Sequence, residues 1–382
     1  MSTSFNFNNL SLGYVMDMCK KTSNGVRWKE STTIFEYYRL LNSCDILKEF
    51  TNNNIDLMPT YDFTIHERGK IREVKAHHIV DRTKLKVVTQ MRLIPITKPY
   101  IFRKNSASQV GKGTLFAIQE CKKDMLSACR NFNGKFYVVT YDFSNFFGSL
   151  DHEIILNLLH KYGFGDDDFY IMKKYLDLYN NDECAGVGVG IGGEPSQQIA
   201  IIYPEQLDRS LKYSNNVYRS GRYMDDGYCI CPTKEDALKT LALIESVSHD
   251  LKLTLNYKHT HIYNMSNGDV VPFLKKRFSI DTNRNNRIVV RLCKKNIQRE
   301  RRRINEQQTQ FYTSKMTIDE IVQSFMSWRS YIIEFDSYKT LCEISNLLSK
   351  YFSLDFNMLM NVKCGMNDIL DQYVNRNNFY FK

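Results

Sequence analysis

Two adjacent carboxylates, Asp225 and Asp226, sit in the apolar stretch Tyr223-Met224-Asp225-Asp226, with Val217-Tyr218 before it and Tyr228-Cys229-Ile230 after it. The β-branched and aromatic neighbours predict two short strands, and Gly221 and Gly227 predict a tight turn joining them. A hairpin tip holds both acids on a short backbone. Adjacent acids repel, so a positive group is expected beside them. Taken alone, the pair reads better as an Asx-rich turn capping a hairpin. A second stretch decides against that: in Val138-Val139-Thr140-Tyr141-Asp142-Phe143-Ser144-Asn145-Phe146-Phe147, Asp142 ends a β-branched run and leads into aromatics. One aspartate at a strand end and two on a hairpin suit a pair of Mg²⁺ ions for nucleotidyl transfer. Mg²⁺ takes oxygen ligands, few of them carboxylates and the rest substrate phosphates. Two such ions about 4 Å apart activate a 3′-hydroxyl and stabilise a departing pyrophosphate.

Elements must position these acids, and the chain has room for them. Its 382 residues can bury a large core and allow two or three subdomains. No run of about 20 apolar residues occurs, so no membrane span is expected, and Met1 to Leu12 does not read as a signal peptide. The ten cysteines are scattered without a Cys-x-x-Cys pair. Cys229 and Cys231 alternate along a strand and are expected to face one way as reduced, packed thiols rather than zinc ligands. His77-His78, His259 and His261 read as structural or RNA-contacting. A reducing cytoplasm follows. The net charge of +10 is concentrated: Lys275 to Arg303 holds twelve Lys and Arg against Asp281 and Glu300, so the rest of the chain is neutral. Such a block is either a solvated face or a phosphate-backbone contact, and its concentration in 29 residues favours the contact.

Tyr141-Asp142-Phe143 and Tyr223-Met224-Asp225-Asp226 resemble the first palm motif and the Tyr-x-Asp-Asp motif of reverse transcriptases, and further similar segments follow in order over roughly residues 60–345. The resemblance implies Asp142, Asp225 and Asp226 as metal ligands, with the Phe143 carbonyl as a further one, for two Mg²⁺ that Mn²⁺ can replace. The hairpin Tyr61 to Val74 carries Arg68, Lys70 and Arg72 and is similar to the fingers hairpin that closes on the nucleotide triphosphate, Arg72 first in preference. Such cations clamp negative charge across from the carboxylates. Asn105 to Thr114 lacks the glycine spacing of a phosphate loop. It resembles instead the family loop before a fingers helix (Leu115 to Cys129), which assigns Lys112 to the template. Phe147 matches the steric gate that excludes a 2′-hydroxyl, although Phe146 and Phe147 both suit a core and only one can face the sugar.

Gly186 to Gln198 is similar to the second palm motif, a glycine loop opening a helix that runs through Ile199-Ala200-Ile201-Ile202 to Leu207-Asp208; Gly192 and Gln197 are its nucleotide-binding residues. Intron-encoded relatives have Gln-Gly-Gly where this chain has Ile191-Gly192-Gly193, which is closer to defence, retron and diversity-generating enzymes. Leu255-Asn256-Tyr257-Lys258 resembles a later palm motif, in which Lys258 either protonates the pyrophosphate or pins the palm carboxylates. Val271-Pro272-Phe273-Leu274-Lys275 resembles the primer-grip turn. Behind it Lys275, Lys276, Arg277, Lys294, Lys295, Arg299, Arg301, Arg302 and Arg303 are expected on nucleic acid. Gln323 to Tyr331 and Phe335 to Thr340 look like a helical thumb, amphipathic enough to pack as a bundle.

The expected architecture is α+β, a right-hand polymerase with an antiparallel palm sheet. Residues 1–135 form N-terminal helices and fingers, 136–280 the palm with a fingers insertion near 160–190, and 281–382 a basic helical thumb and C-terminal region. The implied activity is RNA-directed DNA polymerisation in a stand-alone bacterial or phage enzyme of antiphage defence. A diversity-generating retroelement enzyme, template-independent or protein-primed synthesis, and an inactive RNA-binding module are the alternatives. The implied partners are an RNA template (a dedicated non-coding RNA), a DNA primer and product, dNTPs, and a second copy or an accessory protein.

Overall fold

The computed structural model describes residues 7–67, 70–180, 185–284 and 286–378. The backbone divides into two units, Met1–Glu120 with Val139–Ile262, and Cys121–Val138 with Tyr263–Lys382.

In the first unit, α1 (Leu12–Ser23), α2 (Glu30–Tyr37) and α3 (Arg39–Thr51) bury Val15, Met18, Phe35, Ile46 and Phe50. Strands β1 (Tyr61–Glu67) and β2 (Lys70–Ala76) form an antiparallel hairpin in register from Tyr61↔Ala76 to Glu67↔Lys70. Helix α4 (Ile79–Val88) continues through a π-helical turn at Thr89–Leu93 into α5 (Ile94–Thr97), where Pro95 has no N–H to donate to the preceding turn. Helix α6 (Thr114–Asn131) begins in this unit and ends in the other.

The next elements are β3 (Tyr137–Tyr141), α7 (His152–Lys161), α8 (Asp166–Asp177), α9 (Glu194–Ile202), α10 (Glu205–Tyr213), β4 (Arg219–Tyr223), β5 (Asp226–Cys231), α11 (Lys234–Asp250) and β6 (His261–Asn264). Their sheet has the order β4-β5-β3-β6, with β4 and β5 antiparallel. Every residue of β5 from Gly227 to Cys231 is buried, because the strand is central and covered on both faces. Alternation therefore does not sort Cys229 from its neighbours. Both Cys229 and Cys231 are free thiols, and burial pushes their pKa values up. The helix expected to run unbroken from the glycine loop to Asp208 ends instead at Ile202, and Pro204 caps α10, since a proline cannot continue the hydrogen-bond ladder.

In the second unit, β7 (Val271–Phe273), β8 (Lys276–Asp281) and β9 (Arg287–Leu292) form an antiparallel meander. Helices α12 (Lys294–Tyr312), α13 (Ile318–Ile332), α14 (Tyr338–Phe352), α15 (Phe356–Met360) and α16 (Met366–Asn378) pack around Ile304, Ile321, Phe325, Leu341, Leu348 and Leu359. A capping box between Thr317 and Glu320 starts α13. Buried Arg329 donates to the carbonyls of Leu359, Asn361 and Cys364, at the end of α15 and in the turn that follows it. Among the described residues no helix is long and apolar enough to cross a membrane.

Candidate active site

Tyr223 and Asp226 pair across the end of the β4–β5 hairpin, so Met224 and Asp225 alone make the turn. A two-residue hairpin turn needs positive φ, and here Met224 supplies it at 55°. The predicted turn glycines do something else. A Cβ on Gly227 would fall 2.1 Å from Tyr141 Cζ, and one on Gly221 2.7 Å from the Tyr228 ring. Both lie within the strands and are small because an aromatic ring crosses them. Tyr141 immediately precedes Asp142 and Gly227 immediately follows Asp226. This contact therefore sets Asp142 and Asp226 at the same end of neighbouring strands.

The strained Met224 is held from beneath by Arg222. Its guanidinium is fully buried and donates through Nη1 to the Met224 carbonyl at 2.7 Å. Nε and Nη2 form a two-pronged pair with Asp208 at 2.8 and 2.5 Å, and Nη2 also reaches the Ile201 carbonyl at 2.9 Å. Burial opposes charge on both partners and raises the Asp208 carboxyl, while the carboxylate beside it keeps the Arg222 guanidinium protonated. Neither Arg222 nor Asp208 stood out in the sequence as a site residue. The available signal was a cation two residues before the acidic turn, where a positive group is expected.

Asp142 is held from the other side. The Asn256 amide N–H donates to the Asp142 carbonyl at 2.8 Å, and Asn256 Nδ2 donates to Asp142 Oδ2 at 2.9 Å. Ser144 N–H donates to the Thr254 carbonyl at 2.8 Å, so residues 142–144 and 254–256 pair like strands. Because successive carbonyls alternate, this turns the Phe143 carbonyl away from residues 254–256, to the opposite edge. Lys258 is exposed two residues beyond Asn256. Asp225 and Asp226 are partly exposed. Among the described residues, no group of three or more His, Cys, Asp or Glu is gathered closely enough to hold a metal ion by itself. The donors at this edge are oxygens, which suits a hard cation completed by phosphate oxygens.

Phe146 is buried and stacks on Phe143 at 5.6 Å, whereas Phe147 is half-buried and meets Phe146 edge-on at 5.8 Å. The glycine loop lies along this segment: Val189 N–H donates to the Phe147 carbonyl and Gly188 N–H to the Leu150 carbonyl, both at 2.8 Å. Gly192 has φ 119°, a backbone only glycine adopts freely, and faces Val74 of β2. Gln197 is exposed and accepts from Ser108 Oγ at 3.2 Å. Both line a cavity of about 440 Å³ that also gathers Arg82, Lys86, Gln90 and Glu194, with Lys86 and Gln90 bound to Glu194. Arg68 lies outside the described residues, as do the side chains of Lys70 and Arg72; on the backbone, Arg72 pairs with Ile65 and Lys70 with Glu67.

Two expected nucleic-acid contacts are internal instead. Lys112 Nζ donates to the carbonyls of Arg103 and Asn105 at 2.8 and 3.3 Å and to Gln109 Oε1 at 3.0 Å. Its half-buried ammonium thus has partners within its own loop. Lys276 is fully buried, bonds to the Tyr331 hydroxyl, and lies 4.1 and 4.5 Å from the Tyr331 and Phe335 ring centres. Burial pushes its ammonium down to about 8, and no phosphate can reach it. In the same unit Lys275 is exposed at a turn where Leu274 and Lys275 both have positive φ, 47° and 61°. Arg277 stands directly opposite Arg291 in the β8–β9 register, a like-charge pair that an anion would relieve. On α12, Lys294, Lys295, Arg299 and Arg302 are exposed, but Arg301 pairs with Glu343 at 2.6 Å and Arg303 with Glu300.

Residues 65–278 match the family model described as reverse transcriptase (RNA-dependent DNA polymerase). Among solved structures, telomerase from Candida albicans in complex with a TWJ fragment of telomeric RNA aligns at 11% identity and TM-score 0.50, over 84% of this chain and 67% of that one. Apo telomerase from Candida tropicalis aligns at 12% identity and TM-score 0.47, over 82% and 62%. A form of it truncated from the C-terminal domain gives 13% and 0.46, over 66% and 59%. The chain thus spans about three fifths to two thirds of the length of these telomerase chains. No curated protein matches the sequence.

Proposed function

The chain belongs to the reverse transcriptase (RNA-dependent DNA polymerase) family, and we propose that it extends a DNA primer on an RNA template with Asp142, Asp225 and Asp226 as catalytic carboxylates. The observation that carries this reading is the close approach of the Tyr141 ring to Gly227, which supports Asp142 and Asp226 acting from the same end of neighbouring strands. In this reading the three carboxylates and the Phe143 carbonyl hold divalent ions, Mg²⁺ or Mn²⁺, together with the phosphates of the incoming nucleotide. Bound there, such ions would supply Lewis acidity, lowering the pKa of the attacking 3′-hydroxyl and stabilising the leaving pyrophosphate.

The protein's own residues do the rest. Asn256 fixes the Asp142 carboxylate, and Arg222 fixes the turn carrying Asp225. Half-buried Phe147 excludes a ribose 2′-hydroxyl. Gly192 and Gln197 support the nascent base pair, while Arg72, Lys70 and Arg68 clamp the triphosphate. Lys258 donates a proton to pyrophosphate or steadies the carboxylates. Half-buried Arg277 and exposed Lys275, Lys294, Lys295, Arg299 and Arg302 hold phosphates of template or primer. Ile191, where intron enzymes have Gln, favours a defence, retron or diversity-generating enzyme over an intron-encoded one; among these we propose antiphage defence, in the cytoplasm and on a dedicated non-coding RNA, alone or with a second copy or an accessory protein.

The test is extension of a labelled DNA primer annealed to RNA, with dNTPs and Mg²⁺. Template-dependent products that vanish with EDTA and return with Mg²⁺ or Mn²⁺ support the assignment. Metal-independent extension, or no extension on any RNA template, contradicts it.

A further inference from the structure

Residues 20–41 leave much aromatic and aliphatic surface bare. Trp28 is 79% exposed, Tyr37 81% and Tyr38 50%, and Ile34, Leu40 and Leu41 are each more than half exposed. Ile34 and Tyr37 of α2 and its C-cap residue Tyr38 fall at i, i+3 and i+4 and are exposed, while Thr32 and Phe35 turn inward. The Tyr37 and Tyr38 rings meet edge-on at 4.8 Å. Lys29 Nζ sits 5.3 Å from the centre of the Trp28 ring. Lys20, Lys21, Arg27 and Lys29 are all exposed. Of the two acids in this stretch, Glu36 is paired to Arg39 at 3.2 Å, which leaves Glu30 against those four cations.

Single exposed apolar residues are ordinary, but a cluster of this kind marks a binding surface. Protein-binding patches deplete charge, above all Lys, at their centre. Here cations alternate with rings, which is the composition that binds single-stranded nucleic acid: bases stack on aromatic faces and Lys or Arg follow the phosphates. None of these residues belongs to the catalytic apparatus described above.

We propose that the edge formed by α2 and its flanking turns, Trp28 with Tyr37 and Tyr38, is a stacking platform for a single-stranded stretch of RNA, with Lys20, Lys21, Arg27 and Lys29 on its phosphates. The choice of RNA over DNA rests on the proposed RNA-directed activity; the platform itself does not. Helix α2 has eight residues and is about 12 Å long, enough to space the two groups of rings along a few nucleotides.

Trp28 is its own reporter. The chain has two tryptophans, and the other, Trp328, packs against Phe325 in the core of the second unit. Full-length protein is titrated, without dNTPs or metal, with an unstructured 15-nucleotide RNA and with the DNA of the same sequence, while tryptophan emission is read. The expected result is saturable quenching by RNA that is absent in Trp28→Ala. Apparent affinity should fall at least tenfold in Tyr37→Ala/Tyr38→Ala and stay unchanged in Asp225→Ala. All of these side chains are exposed, and circular dichroism confirms that each variant folds. No quenching at RNA concentrations where a labelled strand is bound would overturn the platform. Equal quenching by DNA would overturn the assignment to RNA. A dimer that sediments as a monomer after Trp28→Ala would show the face to be a contact between copies instead. Because no turnover is measured, failure of the polymerase assignment leaves the quenching result standing, and the reverse also holds.

Discussion

Arg222 donates to the carbonyl of Met224 at 2.7 Å, directly beneath the turn that presents Asp225. A left-handed methionine costs about 1–2 kcal/mol relative to ordinary backbone, so the turn needs a partner that fixes it. Arg222 is that partner, and Asp208 in turn orients Arg222. Removing one member of a buried ion pair costs about 3–5 kcal/mol, because the other is left charged and unpaired. Arg222→Met is therefore expected to lower the urea midpoint markedly. Arg222→Lys keeps the charge but loses the planar fork. It should stay folded and bind RNA while turnover falls. Wild-type turnover in Arg222→Lys would show that the Met224 contact does not position the acids.

Asn256→Ala removes the 2.9 Å bond to Asp142 but keeps the backbone bond between the same residues. A hydrogen bond to a charged group contributes about 1.5–3 kcal/mol, so single-turnover extension should slow by roughly ten- to a hundredfold. More Mg²⁺ should be needed to reach half-maximal rate. An unchanged Mg²⁺ dependence would mean that Asp142 is oriented by other contacts.

The paired phenylalanines should separate cleanly. Phe146 is buried, and truncating such a ring to alanine costs about 3–5 kcal/mol, so Phe146→Ala is expected to act on stability. Phe147 is half-buried, and Phe147→Ala should admit ribonucleotides with a smaller change in stability. Competition between dNTP and rNTP in primer extension reads this directly; retained selectivity would place the gate at another residue.

On α12, Lys295, Arg299 and Arg302 recur at i, i+4 and i+7 on one face, whereas Arg301 and Arg303 are tied to Glu343 and Glu300. Replacing the first three with Gln should flatten the dependence of log Kd on log[salt] by about 0.7–0.9 for each phosphate that is no longer neutralised. Replacing Arg301 and Arg303 should leave that slope unchanged. Equal effects from both sets would contradict the division of labour.

The acidic centre was readable in the sequence because carboxylates inside β-branched and aromatic runs have few structural uses. The bundle of α13 and α14 was readable from its amphipathic pattern. The partners were not. Gly221 and Gly227 look like turn residues because a missing Cβ serves a turn and a ring contact equally, and the sequence does not say which ring will cross. Lys112 and Lys276 carry the sign expected of phosphate contacts, but sign does not reveal whether carbonyls or aromatic rings already enclose the ammonium. Arg222 and Asp208 lie 14 residues apart on a strand and a helix, and only the fold brings them together. Pro204 was a legitimate stop signal inside the helix expected to reach Asp208.

In the proposed mechanism Asp142, Asp225 and Asp226 act together on the 3′-hydroxyl of a primer paired to RNA. Single-turnover extension on a primed RNA template by wild type and Asp225→Asn tests this without intermediaries, with circular dichroism and RNA affinity recorded on the same preparations. The amide keeps the volume of the side chain and removes its charge. Extension should fall by orders of magnitude while fold and RNA affinity are unchanged; extension at the wild-type rate by Asp225→Asn would contradict the mechanism.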